Sequence, residues 1–162
     1  MRKIYFSSLS ACFFLLFSSC QKDDICAEGT ITTPLLQIEF YNAESPETLK
    51  VVEGLMIIAV GEEEPLLGPS TTNNVSIPLR TDQSFTEYRF ISNSGTDREN
   101  EDIVRFDYLP TPDYVNRACG FKIDFLDLTM FKNADDSNWI LSETVNIEDI
   151  QDETATHISI TH

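Results

Sequence analysis

Apolar side chains recur at every second position through most of this chain, and a period of two is the spacing at which a β-strand turns side chains to one face of a sheet. Leu36, Ile38 and Phe40 alternate with Gln37, Glu39 and Tyr41, and Val75, Ile77 and Leu79 with Asn74, Ser76 and Arg80. Thr86, Tyr88 and Phe90 form a third row, and Val104, Phe106 and Tyr108 a fourth, with Arg105 and Asp107 between them turned to solvent. Phe121, Ile123 and Phe125 read as the next inward row. Residues 49–60 read as one longer strand whose run LMIIAV suits a position covered on both faces. Residues 139–147 and 157–162 bring the total to about eight strands. Residues 42–46 and the segments GEEEPLLGPS, SNSGTDRENED and FKNADDSN are turns and loops by their Gly, Pro, Asn and Asp content. Helical periodicity is absent apart from a short turn at residues 148–152. Short, evenly spaced strands predict an all-β fold, a single antiparallel β-sandwich of immunoglobulin-like type with seven to eight strands. A small β-barrel is the alternative, because alternation does not dictate closure.

Composition narrows the function classes. The 162 residues allow one domain, and 11 Lys and Arg against 27 Asp and Glu leave a net charge of -16. A nucleic-acid partner needs a basic face, so none is expected. Two histidines and six glycines argue against His-rich metal sites and glycine-rich phosphate loops, and no cofactor is expected. No G-x-S-x-G, H-E-x-x-H, G-x-x-x-x-G-K-[ST] or G-x-G-x-x-G motif occurs. His157 reads as a surface residue of its strand rather than a catalyst. Asp97, Glu99, Glu101 and Asp102 are weak calcium candidates, as are Asp135, Asp136 and Asn138. Neither set has the spacing of an EF-hand loop, and solvated acidic loops are the expectation for so acidic a chain. Among 27 acids a glycosidase pair cannot be assigned, because its separation is three-dimensional. Tyr41, Tyr88, Tyr108, Tyr114 and Trp139 would make a sugar-stacking platform if they shared an exposed face, but their places in or beside strands read as core and edge positions.

The first residues carry an address. Arg2 and Lys3 precede a mostly apolar stretch over residues 4–17 that ends in Ser18 and Ser19, the layout of a signal peptide and too short for a permanent membrane span. Phe17-Ser18-Ser19-Cys20 resembles the lipobox of bacterial lipoproteins. That resemblance implies removal of residues 1–19 and acylation of Cys20, palmitate being one such chain, and it makes the membrane a partner. Gln21-Lys22-Asp23-Asp24 resembles the surface-export signal of Bacteroidetes lipoproteins, which implies the outer leaflet of the outer membrane. A plain polar tether on the periplasmic face is the alternative. The mature chain would have 143 residues, with nine basic and 27 acidic side chains and a net charge of -18. Its organisation would be a lipidated tether over residues 20–25 and a β-sandwich domain over residues 26–162.

Cysteine arithmetic follows from that address. Cys12 leaves with the signal peptide and Cys20 carries lipid, so Cys26 and Cys119 remain, and two thiols in an oxidising compartment read as one disulfide. Their separation of 93 positions closes a long loop, worth about 4 to 5 kcal/mol in the chain-entropy account. No C-x-x-C pair exists, and the nearest histidine, His157, is far away in sequence, which argues against a catalytic or metal-binding thiol. The six-residue reach from Cys20 to Cys26 is at most about 20 Å, which keeps the domain near the bilayer.

Taken together, Cys20, Cys26, Thr33-Pro34-Leu35 leading into IEFYN, Pro46, Ile77-Pro78-Leu79, Ala118-Cys119-Gly120-Phe121 and the ending HISITH resemble an uncharacterised family of Bacteroidetes lipoproteins of unknown function. The resemblance implies an exported β-rich domain with the Cys26–Cys119 pair and brings no activity with it. The expected function is non-enzymatic, a binding or envelope-interaction module at the cell surface with an envelope protein or glycan as partner. A carbohydrate-binding accessory role in glycan uptake is the alternative. A small hydrolase is a third reading, which would need converging carboxylates or a His–carboxylate pair in a pocket.

Overall fold

The inward rows meet as the two walls of one core. In the computed structural model, which describes residues 25–133 and 137–162, they lie on ten strands: β1 (Leu36–Asn42), β2 (Ser45–Leu49), β3 (Val52–Ala59), β4 (Leu67–Thr72), β5 (Asn74–Ile77), β6 (Phe85–Ser92), β7 (Asn100–Asn116), β8 (Gly120–Lys132), β9 (Ser142–Val145) and β10 (Ile158–Thr161). One sheet runs β2-β1-β10-β9 with β5 also paired to β1, and the other runs β4-β3-β6-β7-β8. Leu36, Ile38, Phe40 and Ile160 from the first sheet share a single buried cluster with Leu55, Ile57, Phe90, Phe106 and Phe125 from the second. Four phenylalanines, Phe40, Phe90, Phe106 and Phe125, are fully buried in it. Each contributes up to about 3 kcal/mol of hydrophobic stabilisation. The fold is thus an all-β sandwich, and neither sheet closes into a barrel. No helix occurs among the described residues.

Several elements differ from the expectation. Residues 49–60 are two strands, because the chain changes sheet at Lys50 and Val51: β2 pairs β1, and β3 pairs β4 and β6. The segment GEEEPLLGPS, expected as a loop, ends in β4. Pro46 and Pro69 both lie in strands, and both strands are at sheet edges, where a missing N–H deletes no ladder bond on the open side. Among the described residues all strand pairings are antiparallel except one. β1 and β10 run parallel, with Ile38 opposite Ile158 and Phe40 opposite Ile160. Alternation carries no strand direction, so this exception was invisible in the sequence.

β7 begins at Asn100, earlier than its apolar row predicts, and so Asp102 continues the inward row of Val104 and Phe106. The residue is 1% exposed. Its carboxylate accepts hydrogen bonds from the Ile140 backbone N–H at 2.8 Å and from Asn138 Nδ2 at 3.0 Å, an arrangement that satisfies an acid at the end of the core. Residues 139 and 140, expected in a strand, instead enter the core end ahead of β9, with Trp139 Nε1 donating to the Phe90 carbonyl at 3.0 Å. Midway along β7, Tyr108 and Thr86 share a 2.5 Å hydrogen bond, and both tie the 78–80 segment to the sheet: the Arg80 N–H donates to Thr86 and the Tyr108 hydroxyl to the Arg80 carbonyl. Tyr88 donates to the Pro78 carbonyl at 2.6 Å, and burial pushes its phenol pKa up to about 12.

His157 is not a surface residue. It is 2% exposed, and it opens the parallel pairing: its backbone N–H donates to the Gln37 carbonyl, while its Nδ1 accepts from the Gln37 N–H, both at 3.0 Å. The imidazole must be neutral at Nδ1 to accept, and burial lowers its pKa. On acidification the unfolded chain, with a histidine near 6.5, takes up a proton before the folded one. Stability is therefore complete above that value and lost as pH falls through it toward the depressed folded pKa. Urea unfolding is expected to show a decline of up to about 1.4 kcal/mol per pH unit below neutrality. His157→Asn, which keeps an acceptor near Nδ1 but cannot be protonated, is expected to flatten that decline. An unchanged slope in the variant assigns the decline to His162, whose pKa burial also lowers.

Candidate functional site

β7 and β8 are the longest strands, and they outrun the sheet that holds them. The last residue of β7 paired with β6 is Asp107, opposite Phe85, whereas pairing with β8 continues to Asn116 opposite Gly120. Beyond Tyr108, whose N–H still donates to the Ser84 carbonyl, β7 has lost the β6 neighbour, and Pro110 and Pro112 occur in this one-sided stretch. The tip is a tight turn. Asn116 Oδ1 accepts from the backbone N–H groups of Ala118 and Cys119, each at 2.9 Å, and Gly120 turns the chain back at φ 75°, a conformation glycine adopts without side-chain strain.

That turn presents Cys119 to Cys26. The two are disulfide-bonded with Cα atoms 4.8 Å apart, as the cysteine arithmetic predicts. From Cys26 the chain runs back along the outer edge of β8. The Ile123 N–H donates to Thr33 Oγ1 at 2.9 Å and the Leu35 N–H to Glu153 Oε1 at 2.8 Å, after which β1 begins. A covalent bond at the tip and the Ile123–Thr33 hydrogen bond therefore fix the start of the domain against the hairpin, while the Leu35–Glu153 bond ties it to the segment before β10.

Exposed apolar side chains surround the bridge. A hollow of about 270 Å³ is lined by Cys26, Ile31, Val115, Cys119, Phe121 and Lys122, with Thr30, Thr32 and Thr33 in its wall. The rings of Tyr114 and Phe121 stand edge to face with centroids 5.3 Å apart. Ile25, Ile31, Tyr114 and Phe121 are 82%, 61%, 57% and 67% exposed. Phe121 departs from the sequence reading: Phe125 enters the core and Ile123 packs against it, but by Phe121 the hairpin has passed the end of the core. Two cations border this surface. The Lys122 ammonium is buried on the other side of the hairpin, bonded to Asp124 and to the Gln151 carbonyl, with Asp113 at 3.6 Å. Arg117, at the apex, is exposed and makes no ion pair among the described residues.

The other residues singled out in the sequence do not converge. Glu101 is held by Arg89 at 2.7 Å, Asp102 is turned into the core end, and Glu99 accepts from the Gly95 N–H at 2.7 Å, while Asp97 is exposed. No group of three or more potential metal ligands occurs among the described residues. Tyr88 and Tyr108 are buried, Tyr41 donates to Glu39 in the first sheet, and Trp139 packs beside His162 at 5.6 Å, so the aromatics form no common platform. A hollow of about 420 Å³ between β4 and β5 has Leu66, Leu67, Val75 and Ile77 in its wall and no titratable side chain. Another, about 350 Å³, brings Lys50, Glu53, Arg98 and His162 to the Trp139 end, with His162 Nε2 against the Lys50 carbonyl at 3.4 Å. Glu39 and Glu153 border a third, about 290 Å³, each engaged by a donor, the Tyr41 hydroxyl and the Leu35 N–H. Residues 1–24, with Cys20, Gln21, Lys22, Asp23 and Asp24, lie outside the described residues, as do Asp135 and Asp136.

Residues 54–162 match a protein family described as a family of unknown function, DUF6452, and the match takes in the whole β7–β8 hairpin. No curated protein and no solved structure matches the chain.

The bridge closes 93 residues of sequence, and its removal frees the unfolded chain more than the folded one. Cys26→Ser combined with Cys119→Ser is expected to lower the unfolding free energy by about 2 to 5 kcal/mol in equilibrium urea titrations. A loss below about 1 kcal/mol would mean that the bridge is not a principal constraint.

Proposed function

The chain belongs to the family of unknown function DUF6452, and from its own residues we propose that it is a lipid-anchored outer-membrane lipoprotein, a non-enzymatic module that holds a rigid acidic domain at the cell surface for binding within the envelope. The observation that carries this reading is the Cys26–Cys119 bridge. It uses up the two thiols left over when Cys20 is assigned to lipid, and disulfides of this structural kind belong to oxidising compartments outside the cytosol. The bridge also gives the tether its length, since six residues separate the lipobox cysteine from a covalently fixed point of the fold.

Acylation at Cys20 supplies the attachment. Each methylene buried in the bilayer contributes about 0.8 kcal/mol, so several acyl chains on one residue hold the protein without any transmembrane helix. The mature chain's net charge of -18 then acts over the short distance the tether allows. Repulsion between acidic faces and anionic headgroups reaches about 8 Å at physiological ionic strength, which tips the sandwich away from the bilayer and leaves its faces open to an envelope partner. Gln21, Lys22, Asp23 and Asp24, directly after the acylated residue, are the address that carries it to the outer leaflet. A glycan-uptake role has less support, because the aromatic side chains it needs are divided between the core and separate ends of the sandwich.

Cys20→Ala is expected to move the protein from the membrane to the soluble fraction in cell fractionation, and unchanged retention overturns the anchor. Replacing Lys22, Asp23 and Asp24 together with alanine is expected to keep membrane retention but abolish digestion by protease added to intact cells. Digestion at the wild-type rate in that variant overturns the surface address.

A further inference from the structure

We propose that the disulfide tip of the β7–β8 hairpin, with Tyr114, Phe121, Ile25 and Ile31 around it and Arg117 at its apex, is a membrane-contacting surface that seats in the headgroup layer of the bilayer that anchors the chain. The inference rests on the reading that Cys20 is acylated. Given that anchor, covalent geometry sets the position of the tip: Cys26 lies at most about 20 Å of extended chain from the lipid, and Cys26 is bonded to Cys119. The hairpin apex is therefore the part of the domain that the tether ties most closely to the bilayer.

The chemistry of the tip differs from that of the rest of the domain. Four large apolar side chains, each more than half exposed, gather around one disulfide. An aromatic pair occupies the rim, with the Tyr114 hydroxyl available to water while the Phe121 ring is covered by lipid, the division of labour that places tyrosine at membrane interfaces. Arg117 supplies a forked donor for a phosphate oxygen, and among the described residues no carboxylate claims it. Asp113, the acid nearest to it in sequence, faces Lys122 at 3.6 Å instead. In a chain with 27 acidic side chains, an apex of exposed apolar side chains with a guanidinium unpaired among the described residues is a surface that anionic headgroups attract rather than repel. The long hairpin supports the same reading, because it carries the apex beyond the acidic faces of the sandwich that would otherwise meet the headgroups first.

The test uses the full acylated protein in vesicles of phosphatidylethanolamine with a minor share of phosphatidylglycerol. Phe121→Trp places a fluorophore at an exposed position where a larger ring has room, and the wild-type signal from Trp139 is subtracted. Lipids bearing a nitroxide near the headgroup are expected to quench the added fluorescence roughly twofold or more, with a blue shift on vesicle binding. Protein that floats with the vesicles but whose introduced indole is quenched by aqueous acrylamide instead overturns the tip contact and leaves the anchor standing. An introduced indole shielded from both quenchers also overturns it, in favour of a second copy or another protein on this surface. Failure of the protein to float with the vesicles removes the anchor, and the tip contact with it. Arg117→Glu is expected to reduce the nitroxide quenching in the Phe121→Trp background, and identical quenching overturns the role given to Arg117.

Discussion

β1 is bonded along one edge to β5 over its first half and to β2 over its second, and along the other edge to β10, through which β9 is held. Every other strand of that sheet therefore depends on it. Its pairing with β10 is the parallel one, and parallel pairing cannot be made by a hairpin, so the whole intervening chain serves as the connection. The second sheet has to form between β1 and β10 in sequence, and it supplies the opposite wall of the core. His157 starts this pairing by spending its Nδ1 on the Gln37 N–H, which makes a neutral buried imidazole part of the seam.

The disulfide extends this constraint to the opposite edge of the other sheet. Without it, hydrogen bonding would hold residues 26–35 to β8 through Thr33 and to the segment before β10 through Glu153. With it, the entry to the domain and the apex of the longest hairpin become a single rigid point. The apolar side chains at that point are exposed because β7 and β8 outrun both β6 and the core, and a strand row that faces the core over most of its length has nothing to face at its end. The same inward row therefore yields a core residue at Phe125 and a surface residue at Phe121.

Much of the fold was legible where one rule acted alone. The rows Leu36-Ile38-Phe40 and Val104-Phe106-Tyr108 are inward in the structure as they are in the sequence, since period-two alternation reports burial directly. The reading went astray where two rules competed. Pro69 and Gly68 mark a loop by composition, yet β4 tolerates both because it is an edge. The run through residues 49–60 is apolar enough for one strand, but its middle crosses between sheets at Lys50 and Val51. Asp102 is an acid in an acidic loop by sequence and a buried hydrogen-bond acceptor in the fold, a role that Ile140 and Asn138 create from far along the chain. Of the candidate site, Cys26 and Cys119 were visible by counting, and Tyr114 was noticed for its ring. Phe121 was assigned to the core, and nothing local signals that the hairpin ends beyond it.

The amino-acid sequence by itself determined that this chain is built of strands, that its two late cysteines pair, and that its surface is strongly acidic. These are properties of composition and of spacing along the chain. Only the tertiary structure decided that β1 and β10 run parallel, that His157 and Asp102 are buried, and that apolar side chains crowd an exposed disulfide at a hairpin apex. Strand direction, the partner of a buried polar group and the point where a core stops are relations between residues distant in sequence. They come into being when the two sheets close on each other.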